Sequence, residues 1–284
     1  MSETPSLPEI LYDDLVRRAL AEDLGRAGDL TTDAIVPAEL EGRAAVVARQ
    51  AGRIAGLAPA LHAFRLLDPA SRAEICKPDG NDAKAGETVA RVSARARALL
   101  TGERTALNVL GRLSGIATAT RDVVARLQGL KARVACTRKT TPGLRALEKY
   151  AVRVGGGESH RYGLHDAVLV KDNHLAVAGG VGEAVRRARR HNGHLVKLEV
   201  EVDTLAQLDE ALSVGVDVVL LDNMDLEMLR EAVRRCRGRA LTEASGGIRL
   251  ENVRAVAETG VDLVSLGWLT HSAPALDVAL DVEG

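Results

Sequence analysis

Apolar residues at helical spacing open the chain: Ile10, Leu11, Leu15, Ala19 and Leu20 share one face of residues 7–24. Pro8 suits a first helical turn and Gly25 a helix end, so the pattern predicts a helix there. The stretch EDLGRAGDLTTDAIVP that follows is polar, carries glycines and reads as a loop. Short β-like runs come next at 44–48, 53–56, 73–76 and 88–92, with a helix predicted over 57–67 between them. Strands and one helix without regular βα alternation predict an α+β unit. Residues 96–127 are helical in pattern, with Gly111 and Gly115 expected as breaks, and carry the chain to a second domain.

The rhythm then changes. Apolar runs at 133–136, 167–170, 195–202, 217–221, 240–244 and 262–266 alternate with helical or loop segments. Units of roughly 20 to 30 residues are those of repeated βα elements, whose parallel strands curl toward a barrel. A complete eight-stranded barrel takes about 250 residues and only about 150 remain, so an incomplete, open barrel is expected.

With 46% hydrophobic residues in 284, a sizeable core is available, and with 2% aromatics it is built from Leu, Val and Ala. The scarcity of aromatics excludes a base-stacking platform, and a net charge of −1 argues against wrapping a polyanion. No nucleic acid is expected as a partner. Cys76, Cys136 and Cys236 are odd in number and widely spaced, which points to a reducing compartment rather than a disulfide framework or thiolate metal site. MSETPSLPEI has no basic region followed by an apolar run as a leader would, and no run approaches the ~18 apolar residues of a membrane span. A cytoplasmic protein without membrane association is expected.

Against that neutral background, residues 137–174 hold ten basic side chains in 38 residues: Arg138, Lys139, Arg145, Lys149, Arg153, His160, Arg161, His165, Lys171 and His174. They are spread over strand, loop and helix signals with a glycine triplet at 155–157, not aligned on one helix face. Convergence on a compact, multiply anionic small molecule is the expected reading, and a solvated basic surface the bland one.

Other chemistry sits at strand ends. In LVKLEVEVD, alternation puts Lys197, Glu199, Glu201 and Asp203 on one face, where carboxylates covered by a barrel need a cationic partner or a metal. VDVVLLDN ends on Asp222 and Asn223, at the end of the strand where barrel enzymes keep catalytic groups. Glu201 and Asp222, on adjacent strands, are candidate ligands for a hard cation such as Mg2+. AVLVKDNH ends on Lys171, Asp172, Asn173 and His174. Ser245, Gly246 and Gly247 suit phosphate, with a helix expected to begin near Arg249 and add its dipole; Gly267 with Thr270, His271 and Ser272 offers a second such turn.

Taken in order, EDLGRAGDLTTDAI, GERTALNVLGRLSGIAT, TRKTTPGLRALEKYAVRVGGG, SHRYGLHDAVLVKDNH, EVEV, LLDNM, EASGGI and THS closely resemble the quinolinate phosphoribosyltransferase family over nearly the whole chain. The block from TRKTTPG to KDNH carries most of that resemblance. It implies an α/β protein with an N-terminal α/β sandwich over residues 1–110, an incomplete α/β barrel over 111–272, and a tail, 273–284, returning to the sandwich. It implies transfer of phosphoribose from 5-phosphoribosyl 1-diphosphate to quinolinate with Mg2+, in NAD biosynthesis. A homodimer with shared active sites is also implied, higher assembly being left open.

By that resemblance, Arg138, Lys139, His160, Arg161 and Lys171 line the quinolinate pocket, and Arg104 reaches in from a partner subunit. Lys139, Lys171, Glu201 and Asp222 are the expected catalytic groups, the last two also holding the metal; Ser245, Gly246, Gly267 and His271 match the phosphate turns. Cys136, Ser159 and Trp268 depart from the family's usual residues. Two other readings are a paralogous pyrophosphorylase-like protein associated with molybdenum transport, and a non-catalytic anion-binding module with RRARRHNGH at 186–194 as a nucleic-acid contact. That last run is expected to be a helix's solvated face.

Overall fold

The computed structural model describes residues 7–283; residues 1–6 of the stretch read for a leader, and residue 284 of the tail, lie outside the described residues. The chain forms α1 (Asp13–Leu24), α2 (Leu30–Ile35), β1 (Glu41–Ala48), β2 (Gly52–Arg53), α3 (Leu57–Leu67), β3 (Arg72–Ile75), β4 (Asp82–Ala83), β5 (Thr88–Arg95) and α4 (Ala96–Arg126). It continues through β6 (Arg133–Ala135), α5 (Arg145–Val154), β7 (Val168–Val170), α6 (Asp172–Ala178), α7 (Val181–His191), β8 (Leu198–Val202), α8 (Leu205–Val214) and β9 (Val218–Asp222). The last elements are α9 (Leu226–Cys236), β10 (Leu241–Ser245), α10 (Val253–Ala257), β11 (Leu263–Ser265), α11 (Trp268–His271) and β12 (Val278–Glu283). Two compact units result. Among the described residues, one gathers 7–121, Thr141–Gly156 and 270–283; the other holds Asp122–Thr140 and Gly157–Leu269.

In the first unit, an antiparallel sheet runs in the order β12-β1-β5-β3, with β2 and β4 pairing separately. The strands predicted at 44–48, 73–76 and 88–92 and the helix over 57–67 are present, whereas the run at 53–56 is corrected: only Gly52–Arg53 forms a strand there, in a two-residue pairing with β4. The loop expected before them is corrected, because it contains α2: Asp29 caps it by accepting from Thr32 N–H at 3.0 Å, an arrangement that Asp favours at a helix start. The expected breaks in α4 are also corrected. The helix runs unbroken through Gly111 and Gly115, which serve close approach instead: a Cβ on Gly111 would sit 2.8 Å from the carbonyl oxygen of Leu276, and one on Gly115 2.0 Å from that of Pro274. The face of the helix opposite these glycines buries Leu99, Leu110, Leu113 and Ile116. The returning tail thus lies directly on α4 and supplies β12 to the sheet edge at β1.

The second unit is an open α/β barrel, with six parallel strands in the order β6-β11-β10-β9-β8-β7. These are the six apolar runs read from the sequence. A bridge between Ala135 and Glu158, with hydrogen bonds from Glu158 N–H to Val134 and from Cys136 N–H to Glu158, extends the sheet beyond β6. The run 186–194 lies largely on α7, where Arg186 and Arg187 pair with Glu183 on the solvated face. Among the described residues no helix is long and apolar enough to cross a membrane.

Candidate active site

Alternation along the parallel strands points every second side chain into the barrel, and at the C-terminal strand ends these side chains surround a cavity of about 350 Å3. Strand β7 contributes Leu169 and, just past its end, Lys171; β8 contributes Glu201, β9 Leu220 and Asp222, β10 Glu243 and Ser245, and β11 Ser265. Thr137, Arg138 and Lys139 enter from the loop after β6, and His160 and Arg161 from the segment that follows the Glu158 bridge.

That segment crosses the barrel's open side. On one flank its backbone pairs with β6. On the other, Nε2 of His160 lies 2.8 Å from Glu199 Oε2, and Nη1 of Arg161 donates to the carbonyl of Ala167 at 3.2 Å. Glu199 and Glu243 are both buried, and Glu243 Oε1 lies 3.7 Å from the same imidazole nitrogen. The carboxylate of the β8 face that most needed a cationic or polar neighbour therefore finds a histidine.

Arg138 and Arg161 share the cavity, and neither has a carboxylate within salt-bridge distance among the described residues. Burial, followed by the neighbouring Arg138, pulls the Arg161 pKa down from its ordinary value. Glu199 and Asp166 offset part of this from a distance, but two like-charged guanidiniums in one cavity, neither in a direct ion pair, form a ready receptor for an anion with two acceptor groups. Lys171 Nζ instead contacts Glu201 Oε2 at 2.7 Å, and Asn223 Nδ2 donates to Asp222 Oδ2 at 2.6 Å. One oxygen of each of these two carboxylates is committed; Oε1 of Glu201 and Oδ1 of Asp222 carry no protein hydrogen bond among the described residues.

The glycine turns are built differently from the sequence reading. Gly246 and Gly247 both adopt left-handed φ, +91° and +60°, but no helix begins at Arg249: α10 starts at Val253 and is only five residues long. Asn252 Oδ1 instead receives the Arg249 N–H at 2.7 Å, forming turns where the helix was expected, so the dipole argument does not apply there. Trp268 Nε1 donates to the carbonyl of Ile248 at 3.2 Å and so ties the turn at Gly267 to the turn after Ser245. Asn223, with φ 52°, is the one non-glycine residue at positive φ among the described residues, and its backbone N–H bonds Ser245 O at 3.0 Å. The sequence singled out Asn223 only as a strand end; its role in fixing Asp222 had no local signal.

Of the remaining basic cluster, Arg145, Lys149 and Arg153 lie on α5 in the first unit, and His174 accepts the Lys171 N–H at the start of α6. Arg104, exposed on α4, and His271, 2.5 Å from Ser272 Oγ, belong to the first unit. A larger cavity, about 620 Å3, opens at the N-terminal strand ends, but its Lys131 and Lys197 are paired with Asp262 and Asp217. Its thiol, Cys236, is pushed up to about 11 by burial and is unreactive.

Residues 29–114 match the quinolinate phosphoribosyl transferase N-terminal domain and residues 116–281 the C-terminal domain of the same family. The chain belongs to the quinolinate phosphoribosyl transferase family. It is 46% identical over 268 residues to a probable carboxylating nicotinate-nucleotide pyrophosphorylase of Bacillus subtilis, covering 94% of this chain and 92% of that protein. It is also 46% identical over 281 residues to the carboxylating nicotinate-nucleotide pyrophosphorylase of Mycobacterium leprae, covering 95% and 96%. Among solved structures, the nicotinate-nucleotide pyrophosphorylase of Francisella tularensis superposes over 100% of both chains with a TM-score of 0.94 at 35% identity. NadC of Streptococcus pyogenes does so over 99% and 98%, also with a TM-score of 0.94, at 40% identity.

Proposed function

We propose that this chain is a carboxylating nicotinate-nucleotide pyrophosphorylase, joining quinolinate to 5-phosphoribosyl 1-diphosphate to give nicotinate mononucleotide, pyrophosphate and carbon dioxide. The observation that carries this reading is the pair of guanidiniums, Arg138 and Arg161, that share one cavity with Lys139 and Lys171 and form no direct ion pair among the described residues. A pyridine bearing two adjacent carboxylates supplies the two acceptor groups that this pair lacks. Both substrates are multiply anionic, and the four cations offset the repulsion of bringing them together.

In the first step the ring nitrogen bonds to the anomeric carbon as the carbon–oxygen bond to diphosphate breaks. Positive charge developing on the ribose is stabilised by the carboxylates of Glu201 and Asp222, which project from neighbouring strands. Lys171 holds Glu201 and Asn223 holds Asp222, so neither carboxylate has to reorganise as the charge appears. The donor set also fits Mg2+: two carboxylates, each with an oxygen left over, suit a cation that takes most of its remaining ligands from phosphate and water. When bound, the metal would neutralise the leaving pyrophosphate.

In the second step the 2-carboxylate leaves as carbon dioxide, its bonding electrons pass toward the now cationic ring nitrogen, and a proton is taken up at that carbon. Lys139, which lines the cavity, is read as stabilising anionic charge there. Ser245, Gly246 and Gly267, with His271, are read as the phosphate-binding turns.

Arg104 is read as serving the site of a second copy in a homodimer, which its exposure on α4 supports. The three free thiols support a cytoplasmic setting. Loss of quinolinate absorbance that depends on the phosphoribosyl donor, with nicotinate mononucleotide as product, tests the assignment. A folded protein that shows neither overturns it.

A further inference from the structure

From the geometry across the barrel's open side, we infer that Glu199 is a positioning residue for the diacid pocket, acting on Arg161 through His160. The inference rests on the quinolinate reading above for the identity of the ligand, but the relay itself is a matter of hydrogen bonds. The backbone N–H of Arg161 stands 2.8 Å from Nδ1 of His160 and can only donate, so Nδ1 carries no proton. The ring's proton then resides on Nε2, 2.8 Å from Glu199 Oε2, which accepts it. Both ring nitrogens are consumed inside the protein. His160 therefore presents a carbon edge to the cavity, and its work is to hold the Arg161 backbone.

Arg161 needs such a hold. Its segment crosses the gap between β6 and β7 joined to the sheet through the single bridge at Glu158, and among the described residues its guanidinium donates to the Ala167 carbonyl alone. A fork that must meet a rigid planar diacid tolerates little rotation, and the backbone contact at His160 removes that freedom.

Glu199 is costly to keep for packing alone. It is 7% exposed, its Oε1 is buried without a hydrogen-bond partner among the described residues, and it lies on an interior strand of the sheet, where desolvating a carboxylate is unfavourable. Retention of a carboxylate there is accounted for by what Oε2 does.

The test uses full-length protein and the variants Glu199→Leu and Glu199→Gln. Removing the acceptor in Glu199→Leu is expected to raise the KM for quinolinate by about 10-fold or more while kcat and the KM for the phosphoribosyl donor stay within about 3-fold. Glu199→Gln keeps an amide oxygen for Nε2–H and is expected to restore the quinolinate KM to within about 3-fold of the parent. An unchanged quinolinate KM in a folded Glu199→Leu, a loss shared equally by both substrates, or failure of Glu199→Gln to rescue overturns the inference. Should Glu199→Leu not fold, the parent still decides: long-range proton–nitrogen NMR of histidine-labelled protein is expected to show His160 with its proton on Nε2, and a proton on Nδ1 overturns the inference. A parent protein without quinolinate turnover sinks the substrate reading instead, and the NMR arm is independent of it.

Discussion

Nζ of Lys171 stands 2.7 Å from Oε2 of Glu201, joining the C-terminal ends of two neighbouring parallel strands, β7 and β8. Glu201 is the more covered partner, its side chain 13% exposed against 46% for the lysine. The lysine thus holds the carboxylate in place while keeping two further N–H donors for a ligand. Because the two groups act as one unit, Lys171→Ala and Glu201→Ala are each expected to lower kcat/KM by about 10-fold or more, with a coupling of about 1 kcal/mol in the double variant. Steady-state kinetics of the three variants measures the coupling; strictly additive losses would show that the contact is incidental.

Lys139 is exposed at the cavity rim in the loop after β6. If it stabilises charge that develops during the reaction, Lys139→Ala is expected to lower kcat by about 100-fold, with a smaller effect on quinolinate KM. Near-normal turnover would remove it from the machinery and leave charge neutralisation to Arg138, Arg161 and Lys171.

Much of this architecture is legible in the amino-acid order, and the parts that are not share a cause. Apolar runs closing on a polar residue gave the six parallel strands, because a strand covered on both faces must be apolar until it reaches the ligand end. Alternation within β8 and β9 likewise put Glu201 and Asp222 on the same side of the sheet. Relationships that need a distant partner left no local trace. β12 pairs with β1 from the far end of the chain, Gly115 is small because Pro274 lies on it, and Glu199 is tolerable because His160 arrives from another segment. The helix α2 was hidden differently: six residues are too few for a period to show, and the flanking glycines outweighed the Asp29 cap.

Gly246 is tied to Asn223 more tightly than to any ligand turn. With φ +91°, an added Cβ would be strained, and it would stand 2.1 Å from Asn223 Oδ1 and 2.9 Å from Asn223 N. Asn223 would have to move, releasing its hydrogen bond to Asp222. Gly246→Ala is therefore expected to destabilise by about 1–3 kcal/mol and to raise the KM for the phosphoribosyl donor more than that for quinolinate. Thermal unfolding and the two KM values check it, and a variant with parental stability and kinetics refutes the close approach.

At the other end of the barrel, Asp262 receives Thr242 N–H at 2.9 Å and Thr242 Oγ1 at 2.7 Å and pairs with Lys131. Burial raises its pKa, but the Thr242 hydrogen bonds and Lys131 outweigh burial and bring it below the ordinary 3.8. A depressed carboxylate pKa stabilises the fold fully above the unfolded value, and that contribution is lost as pH falls through the folded value. Asp262→Ala is expected to cost about 1–3 kcal/mol at pH 7, with the gap to the parent narrowing below about pH 4. Urea unfolding at several pH values measures this; a gap that does not change with pH would assign the loss to packing instead.

In α4, two effects of opposite sign meet at Gly115. Helix propensity alone favours Gly115→Ala by about 1 kcal/mol, since the position is helical and the backbone needs no glycine there. The added methyl, however, would lie 2.0 Å from the Pro274 carbonyl oxygen and 2.9 Å from Ala275 Cα, both backbone atoms of the tail that leads into β12. Backbone cannot rotate away as a side chain does, and overpacking of this kind costs about 1–3 kcal/mol or more. The clash is expected to win, giving a net loss of at least about 1 kcal/mol and earlier exchange of the β12 amides in hydrogen-exchange measurements. A stabilised Gly115→Ala with unchanged protection of β12 would mean that the tail does not rest on this face of the helix.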